Sequence, residues 1–151
     1  MKYWKIRLLV AIALLVLFLF PLPAIAANPR QIVEMQATKT CQSCDLSGAY
    51  LPVSQLDFTY LLAANLQGAN LMGASITFSN LSRANLKNAN LSYANLHRTQ
   101  LQLTNLADAN LHQADLSEAN LTSANISEAQ LAEVKLCRTI LPNGLRSNRD
   151  C

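Results

Sequence analysis

The chain has 151 residues, enough for one domain of ordinary size, and its aromatic content is only 6%. Its formal net charge is +3, but segment 1–26 contributes three basic residues and no acidic ones. Without that segment, nine of the 12 Lys and Arg residues remain against 9 Asp and Glu, so the charges balance. This balance argues against a basic patch for nucleic acid, and we expect no nucleic-acid partner.

Segment 1–26 has the three-part pattern of a secretory signal peptide. Basic residues precede an apolar run of 13 residues, 8–20, and Ala26 ends the small-residue motif AIA, where cleavage is expected. The alternative is an uncleaved membrane anchor, which fits less well because a bilayer needs about 20 apolar residues. We therefore expect export, with no membrane contact by the mature chain.

Residues 27–43 are predicted to form a short helical cap. Asn28 suits the N-cap, and Pro29 suits the first helical position, where a missing N–H costs nothing. Three apolar residues of this helix are expected to cover the first repeat: Ile32, Val33 and Met35.

The stretch "ANLKNANLSYANL", residues 84–96, returns Ala-Asn-Leu every five residues. With the central apolar residue as position i, the register runs unbroken from Leu46 to Leu141 and gives twenty pentapeptides, residues 44–143. Position i is Leu in eighteen of them, and i−2 is Ala in twelve and Ser, Thr or Cys in seven. Position i−1 is Asn in ten and Asp in two.

A period of five fits neither a helix nor a flat strand. Residues five apart drift around a helix, which turns about 100° per residue, and they lie on opposite faces of a strand. A backbone that turns every five residues places each position i at the axis, and four sides close a square coil of twenty residues. Stacked coils would bury a column of Leu and pair their backbones coil to coil. Small i−2 residues suit the narrow interior, and Asn or Asp at i−1 is expected at the corners.

The A-(N/D)-L-x-x run of residues 44–143 resembles the pentapeptide-repeat family. The resemblance implies an all-β solenoid, a right-handed quadrilateral β-helix, here of about five coils. The stretches "CQSCDLSGA" and "CRTILPNG…DC" resemble the ends of exported cyanobacterial members, which implies a periplasm or a thylakoid lumen. Residues 144–151 follow the turn signal Pro142-Asn143-Gly144 and are expected to form a C-terminal cap tail.

Four cysteines in an exported chain predict disulfide bonds, with three possible pairings. Cys41 and Cys44 lie at the start of the predicted solenoid, whereas Cys137 and Cys151 lie at its end. Bridged Cα atoms lie within about 7 Å, so a pair across the length of the rod is excluded. We therefore expect Cys41–Cys44 and Cys137–Cys151.

Cys41-x-x-Cys44 has two further interpretations. It could be a redox pair, but the βαβ context of that motif is missing. It could be half of a zinc site, but two further ligands are not present nearby. A local disulfide is the favoured interpretation, with thiol–disulfide activity as the alternative function, and we expect no metal and no cofactor.

Catalytic constellations are not apparent in the sequence. His97 and His112 both occupy the outward position i+1 in different coils, so they are expected to be solvated surface residues rather than a dyad. No Ser-His-Asp set or phosphate-binding Gly loop appears, and a Leu-filled interior leaves little room for a substrate. We therefore expect no enzymatic activity.

Residues twenty apart should stack on one side of the solenoid. One i+2 column is predicted to stack two Phe side chains and to place one Glu between two Arg: Phe58, Phe78, Arg98, Glu118 and Arg138. Neighbouring exposed apolar residues often mark interfaces. Val53 is another outward apolar residue of the first two coils, and the candidate partner surface there comprises Phe58, Phe78, Tyr50, Tyr60, Leu62 and Met72.

The favoured function is a stiff, disulfide-capped scaffold that binds an unknown protein partner; the oligomeric state is left open. The resemblance also implies a rival, because some pentapeptide-repeat proteins resemble duplex DNA and bind type II topoisomerases. That role requires an acidic face and a cytoplasmic location. Residues 44–143 carry seven acidic and five basic residues with the signs interspersed, and export would separate the protein from that target.

Overall fold

The computed structural model describes residues 28–151, apart from the side chains of residues 128 and 129. The predicted signal peptide, residues 1–26, lies outside the described residues. In the part of the chain that is described, no helix has both the length and the apolar character needed to cross a membrane. Its regular elements are α1 (Pro29–Thr38), α2 (Glu128–Leu131), β1 (Thr139–Ile140) and β2 (Arg146–Ser147).

The repeats are joined by single-residue parallel bridges between residues twenty apart in sequence. These bridges begin with Thr40↔Tyr60 and end with Asn120↔Ile140. Beside them, the N–H of most central residues donates to the carbonyl 19 residues later, as from Leu46 to Asn65 at 2.7 Å. The chain therefore returns above itself after four pentapeptides, as the period predicts.

Positions i and i−2 form the core. Leu86 and Leu96 are fully buried, and Ala94 is buried beside them. Burial of each Leu stabilises the fold by about 1.5–3 kcal/mol relative to exposure. Where i−2 is Thr, its hydroxyl donates to a backbone carbonyl, as when Thr104 Oγ1 donates to the carbonyl of Leu81 at 2.9 Å.

The chain turns after the central residue, at positions i+1 and i+2. The prediction that the corner lies at position i−1 was therefore wrong. Position i+2 has positive φ in every repeat from Ser43 to Ser123. In most repeats the N–H of i+3 donates to the carbonyl of i, as from Ala84 to Leu81 at 3.0 Å. A left-handed third residue with this bond is typical of a type II turn. Asn at i−1 lies in the bridge instead, and its side chain accepts the N–H of i+1, as Asn85 does from Lys87 at 3.2 Å.

Helix α1 covers the start of the solenoid, as predicted. The side chain of Asn28 accepts the N–H of Arg30 at 3.0 Å, and Pro29 occupies the first turn. Met35 is fully buried against the core and Ile32 packs beside it. Val33 is 65% exposed, so the prediction that it covers the first coil was wrong. It lies one residue after Ile32, which rotates it about 100° away from the buried face.

The regular coil path breaks once near the C-terminus, although the predicted register continues, since Asp115 still pairs with Lys135 and Asn120 with Ile140. Helix α2 interrupts the path, and among the described residues no bridge joins Asn110 to Gln130. The side-chain amide of Gln130 reaches back instead and donates to the carbonyls of Leu106 at 3.0 Å and Ala109 at 2.7 Å. Leu131 is consequently only half-buried, although it occupies a central position.

Beyond the break, the chain returns to the repeat path and ends in a hairpin. Asp115 pairs with Lys135 in a regular bridge, and β1 then pairs with β2 in antiparallel register. The turn predicted at Pro142-Asn143-Gly144 connects these strands, and Gly144 adopts a φ of 82°, which favours glycine.

Candidate functional site

One corner column carries the aromatic part of the predicted surface. The rings of Phe58 and Phe78 are stacked, with centroids 5.2 Å apart and planes 8° apart. Arg98 lies over the Phe78 ring at 5.3 Å, and its Nε lies 2.6 Å from a Glu118 carboxylate oxygen. Arg138 approaches the same carboxylate at 3.9 Å. The predicted order of this column, with two stacked Phe and Glu118 between two Arg, is confirmed.

The two Phe side chains are displayed rather than packed inward. Phe58 is 70% exposed and Phe78 is 45% exposed. Both occupy i+2, with φ of 57° and 56°, a left-handed conformation that bulky residues rarely adopt. The turn imposes this φ on the regular repeats. Gly48, Gly68 and Gly73 adopt it without steric cost, because glycine has no side chain. The turn therefore presents both aromatic rings at the surface of the corner.

The remaining predicted surface residues lie on the two sides that flank this column. Tyr50 and Met72 belong to the side before it, where Tyr50 is 73% exposed and Met72 is also exposed. Val53 joins them, because its N–H donates to the Met72 carbonyl at 2.8 Å. Tyr60 and Leu62 belong to the following side, where Tyr60 is exposed and Leu62 is half-buried. The six residues thus surround one corner but do not form one continuous patch.

Sequence analysis missed three exposed apolar residues outside the first two coils. Tyr93 and Leu103 both occupy i+2 with positive φ, and Leu145 lies in the C-terminal hairpin. The signal for the first two was available, since they share the corner position of Phe58. Leu145 lies beyond the twenty pentapeptides, so that rule does not apply to it.

A polar group lies beside the aromatic column. Asp57 Oδ1 accepts the Ser75 hydroxyl at 2.6 Å, and the Thr77 hydroxyl and N–H at 2.6 and 2.8 Å. Partial burial raises the pKa of Asp57, but these hydrogen bonds and the Lys39 charge outweigh it, so the pKa lies below its ordinary value. The carboxylate therefore ties adjacent coils together beside Phe58.

The two histidines take part in surface contacts rather than standing alone in solvent. His97 packs edge-on against Phe78, with ring centroids 5.9 Å apart. His112 packs edge-on against Tyr93 at 5.5 Å, and its Nδ1 lies 2.6 Å from a Glu133 oxygen. They contact different neighbours and do not contact each other in these pairs, so their arrangement indicates surface packing.

The cysteines lie in the two predicted pairs. The sulfur atoms of Cys41 and Cys44 are 2.01 Å apart, and those of Cys137 and Cys151 are 2.29 Å apart. Cys41 and Cys44 border an open cavity of about 410 Å³ that Tyr60 and the start of the solenoid also line. In residues 28–151, no cluster of three or more His, Cys, Asp or Glu could hold a metal ion.

Solved structures with a similar fold include two of QnrB1, described as a plasmid-mediated fluoroquinolone resistance protein. A trypsin-treated form has a TM-score of 0.61 and the full-length form 0.59, and each is 21% identical to this chain. These alignments cover 74% and 67% of this chain but 58% and 52% of QnrB1, so the chain spans little more than half of that protein. The pentapeptide repeat protein Rfr23 from the cyanobacterium Cyanothece 51142 is 24% identical, with a TM-score of 0.47 and coverage of 80% and 95%.

The match to a sequence-family model is stronger evidence of relationship than these structural similarities. No curated protein sequence matches the chain. The family model for pentapeptide repeats matches in eight copies over residues 41–77, 69–106 and 104–141, which is more than half of the chain. Together with bridges between residues twenty apart and a buried central Leu or Ile in most repeats, this match shows that the chain belongs to the pentapeptide-repeat family.

Proposed function

We propose that this protein is a non-enzymatic scaffold that binds a partner protein at the corner displayed by Phe58 and Phe78. The observation that carries the proposal is the stacked, exposed pair of aromatic rings on a backbone fixed by coil-to-coil hydrogen bonds. A rigid surface loses little conformational entropy on binding, and aromatic side chains supply large contact areas. Tyr50, Tyr60 and Met72 would extend the contact on either side.

The proposed architecture is a right-handed quadrilateral β-helix of about five coils, capped by α1 and by the tail of residues 144–151. Bridges that recur at a spacing of twenty residues support the four-sided coil. Membership of the pentapeptide-repeat family supports its shape and handedness. Flat sides and sharp corners make the variable positions i+1 and i+2 the source of specificity.

We place the mature protein, residues 27–151, in a periplasm or thylakoid lumen with both cysteine pairs oxidised. The signal-peptide pattern of residues 1–26 supports export, and the pairing of all four cysteines suits an oxidising compartment. Mass spectrometry of the protein from its source membrane fraction and soluble exported fraction tests this location. A soluble species that begins at Ala27 and has no free thiol is expected, whereas a membrane-bound species that retains residue 1 contradicts it.

A second candidate function is thiol–disulfide exchange through Cys41 and Cys44. The open cavity beside this pair is the observation that favours it, because an exchanging disulfide must be reached by another thiol. Reduction by a dithiol, followed by alkylation and mass spectrometry, measures its accessibility. A pair that resists dithiothreitol in the folded protein eliminates this candidate.

The likeness to QnrB1 concerns the fold alone, so we do not propose a topoisomerase-binding role.

Matched affinity columns test the scaffold proposal. Residues 27–151 are immobilised and exposed to the soluble exported fraction of the source cell. A second column carries Phe58→Asp and Phe78→Asp, and a third carries Asn88→Asp and Ser123→Asp, which add the same charge at other exposed i+2 positions with positive φ. Circular dichroism first establishes that all three proteins are folded.

The expected result is a protein retained by the first and third columns and lost from the second. Equal retention on all three columns would show that binding occurs away from the Phe58–Phe78 corner. Retention of nothing above background on the unsubstituted column contradicts a scaffold for a soluble partner.

A further inference from the structure

The C-terminal tail binds backbone groups of the last described coil. In the regular repeats, the N–H of a central residue donates to a carbonyl of the next coil, as from Leu116 to Lys135 at 3.0 Å. Leu136 is the central residue twenty positions after Leu116, in the last described coil. Its N–H donates instead to the side-chain carboxylate of Asp150 at 2.8 Å. The neighbouring residue of the tail, Arg149, lies beside this carboxylate, with its Nε 3.1 Å from Asp150 Oδ2.

The same tail also binds the segment where the regular coil path breaks. Arg149 Nη1 donates to the carbonyl of Leu131 at 3.0 Å, and Nη2 donates to the carbonyl of Val134. These two carbonyls belong to the segment where the chain leaves and rejoins the repeat path. Arg149 and Asp150 also line an open cleft of about 450 Å³, together with Gln113.

The residues of the tail are exposed, in contrast to the core of the repeats. Residues 148–151 are all exposed, so the Arg149–Asp150 ion pair and the bond from Arg149 to the Leu131 carbonyl compete with water and are individually weak. The bonds to the Leu136 N–H and the Val134 carbonyl are partly buried. The covalent tether is the bond between Cys151 and Cys137, 14 residues apart in sequence. Such a tether stabilises the closed state chiefly by removing conformational freedom from the open one.

We propose that the Cys137–Cys151 disulfide is a redox latch that holds the C-terminal cap closed. Its reduction releases residues 148–151, frees the N–H of Leu136 and the carbonyls held by Arg149, and opens the cleft beside Gln113. The repeats remain folded, because their buried Leu column and coil-to-coil bonds do not depend on the tail. The end of the solenoid thereby becomes an accessible backbone edge only under reducing conditions.

The chemistry requires a dithiol reductant, either a protein dithiol or a small molecule such as dithiothreitol. One of its thiolates attacks the sulfur of Cys151, the exposed member of the pair, and the Cys137 sulfur leaves as a thiolate that takes up a proton. The second thiol of the reductant then attacks the mixed disulfide and releases Cys151 as a thiol. Two electrons and two protons pass to the protein, and the reductant becomes a disulfide.

Hydrogen exchange measured by mass spectrometry tests the latch. The protein is the mature chain with Cys41→Ser and Cys44→Ser, so that dithiothreitol can act only on Cys137–Cys151. Peptides that span residues 132–151 report on the cap, and peptides that span residues 81–106 report on the repeats. We expect exchange in the cap to rise by about tenfold or more on reduction, with no change in the repeats.

Two variants keep the test decisive. Cys151→Ser should show the fast exchange of the cap without any reductant, because it lacks the tether. Lys87→Ser, at an exposed position of a regular repeat, is the control for substitution and should exchange as the parent does. Unchanged exchange in the cap on reduction would show that the hydrogen bonds alone hold it, and the latch would be refuted. Faster exchange throughout residues 81–106 also overturns the proposal, since the disulfide would then support the whole fold.

Discussion

The regular repeats and the C-terminal end of this molecule solve the same structural problem in different ways. In the regular repeats, backbone bridges join residues twenty apart in sequence, and the central Leu is buried. After Ser127, side chains replace backbone partners at two points: Gln130 donates to the Ala109 carbonyl, and Asp150 accepts from the Leu136 N–H. A periodic sequence thus builds a periodic ladder, and its termination depends on individual side chains.

The largest expected effect comes from shortening a central Leu in the regular repeats, compared with the same change near the C-terminal end. Leu96→Ala in the repeats should lower the free energy of unfolding by about 2–5 kcal/mol, because the buried side chain leaves a cavity. Leu131→Ala at the break should cost less than about 1.5 kcal/mol, since that side chain is half-buried. Urea denaturation followed by circular dichroism measures both. Equal losses would indicate that the break is packed as tightly as the repeats.

The second prediction concerns the side chain that substitutes for backbone. Gln130→Ala should destabilise the C-terminal end by about 1–2 kcal/mol, because the Ala109 carbonyl loses its donor and the Leu106 carbonyl keeps only the N–H of Ala109. Hydrogen exchange at residues 106–114 should quicken in this variant. Gln113→Ala removes an exposed amide nearby and serves as the matched control. A similar response from both variants would mean that the Gln130 bonds do not support the break.

The third prediction uses pH to probe a bond between coils. Because the hydrogen bonds from Ser75 and Thr77 depress the pKa of Asp57 in the folded state, its stabilisation is present above about pH 4 and is lost as the pH falls through the lower folded value. The carboxylate is only partly buried, so the contribution is below about 1 kcal/mol. Urea midpoints between pH 5 and pH 2 should fall less in Asp57→Asn than in the parent, and Asp108→Asn, an exposed corner residue, should follow the parent. Parallel midpoint curves for the parent and Asp57→Asn would exclude this role.

The smallest expected effect concerns strain at a corner. Leu103 is exposed and has a φ of 59°, which costs an L-residue with a bulky side chain about 1 kcal/mol. Leu103→Asn should raise the free energy of unfolding by about 0.5 kcal/mol, because Asn tolerates the left-handed region. Gln102→Asn, at the preceding position outside the positive-φ set, should be neutral or slightly destabilising. A gain from both substitutions would point to a surface effect of Asn rather than relief at the corner.

Much of the candidate site could be predicted because the period fixes which residues stack. The order of Phe58, Phe78 and Arg98 along one corner follows from their spacing of twenty residues, and the structure has that order. The exposure of Val33 and the contacts of His97 and His112 with aromatic rings could not be obtained in this way. They depend on how a helix rotates against the first coil and how side chains pack across neighbouring columns.

The sequence by itself determined the coil length, the buried Leu and Ala positions and the pentapeptide-repeat family, because one five-residue rule recurs over most of the chain. It did not determine where the chain turns, since Asn at i−1 can bond nearby backbone at a corner or in a bridge. The tertiary structure also decided where the regular coil path breaks. The segment of α2 keeps the spacing of five, yet its path depends on the Gln130 bonds and on a tail that returns from residues 149 and 150. Periodic contacts can be read from sequence, whereas the contacts that end them join residues with no fixed spacing.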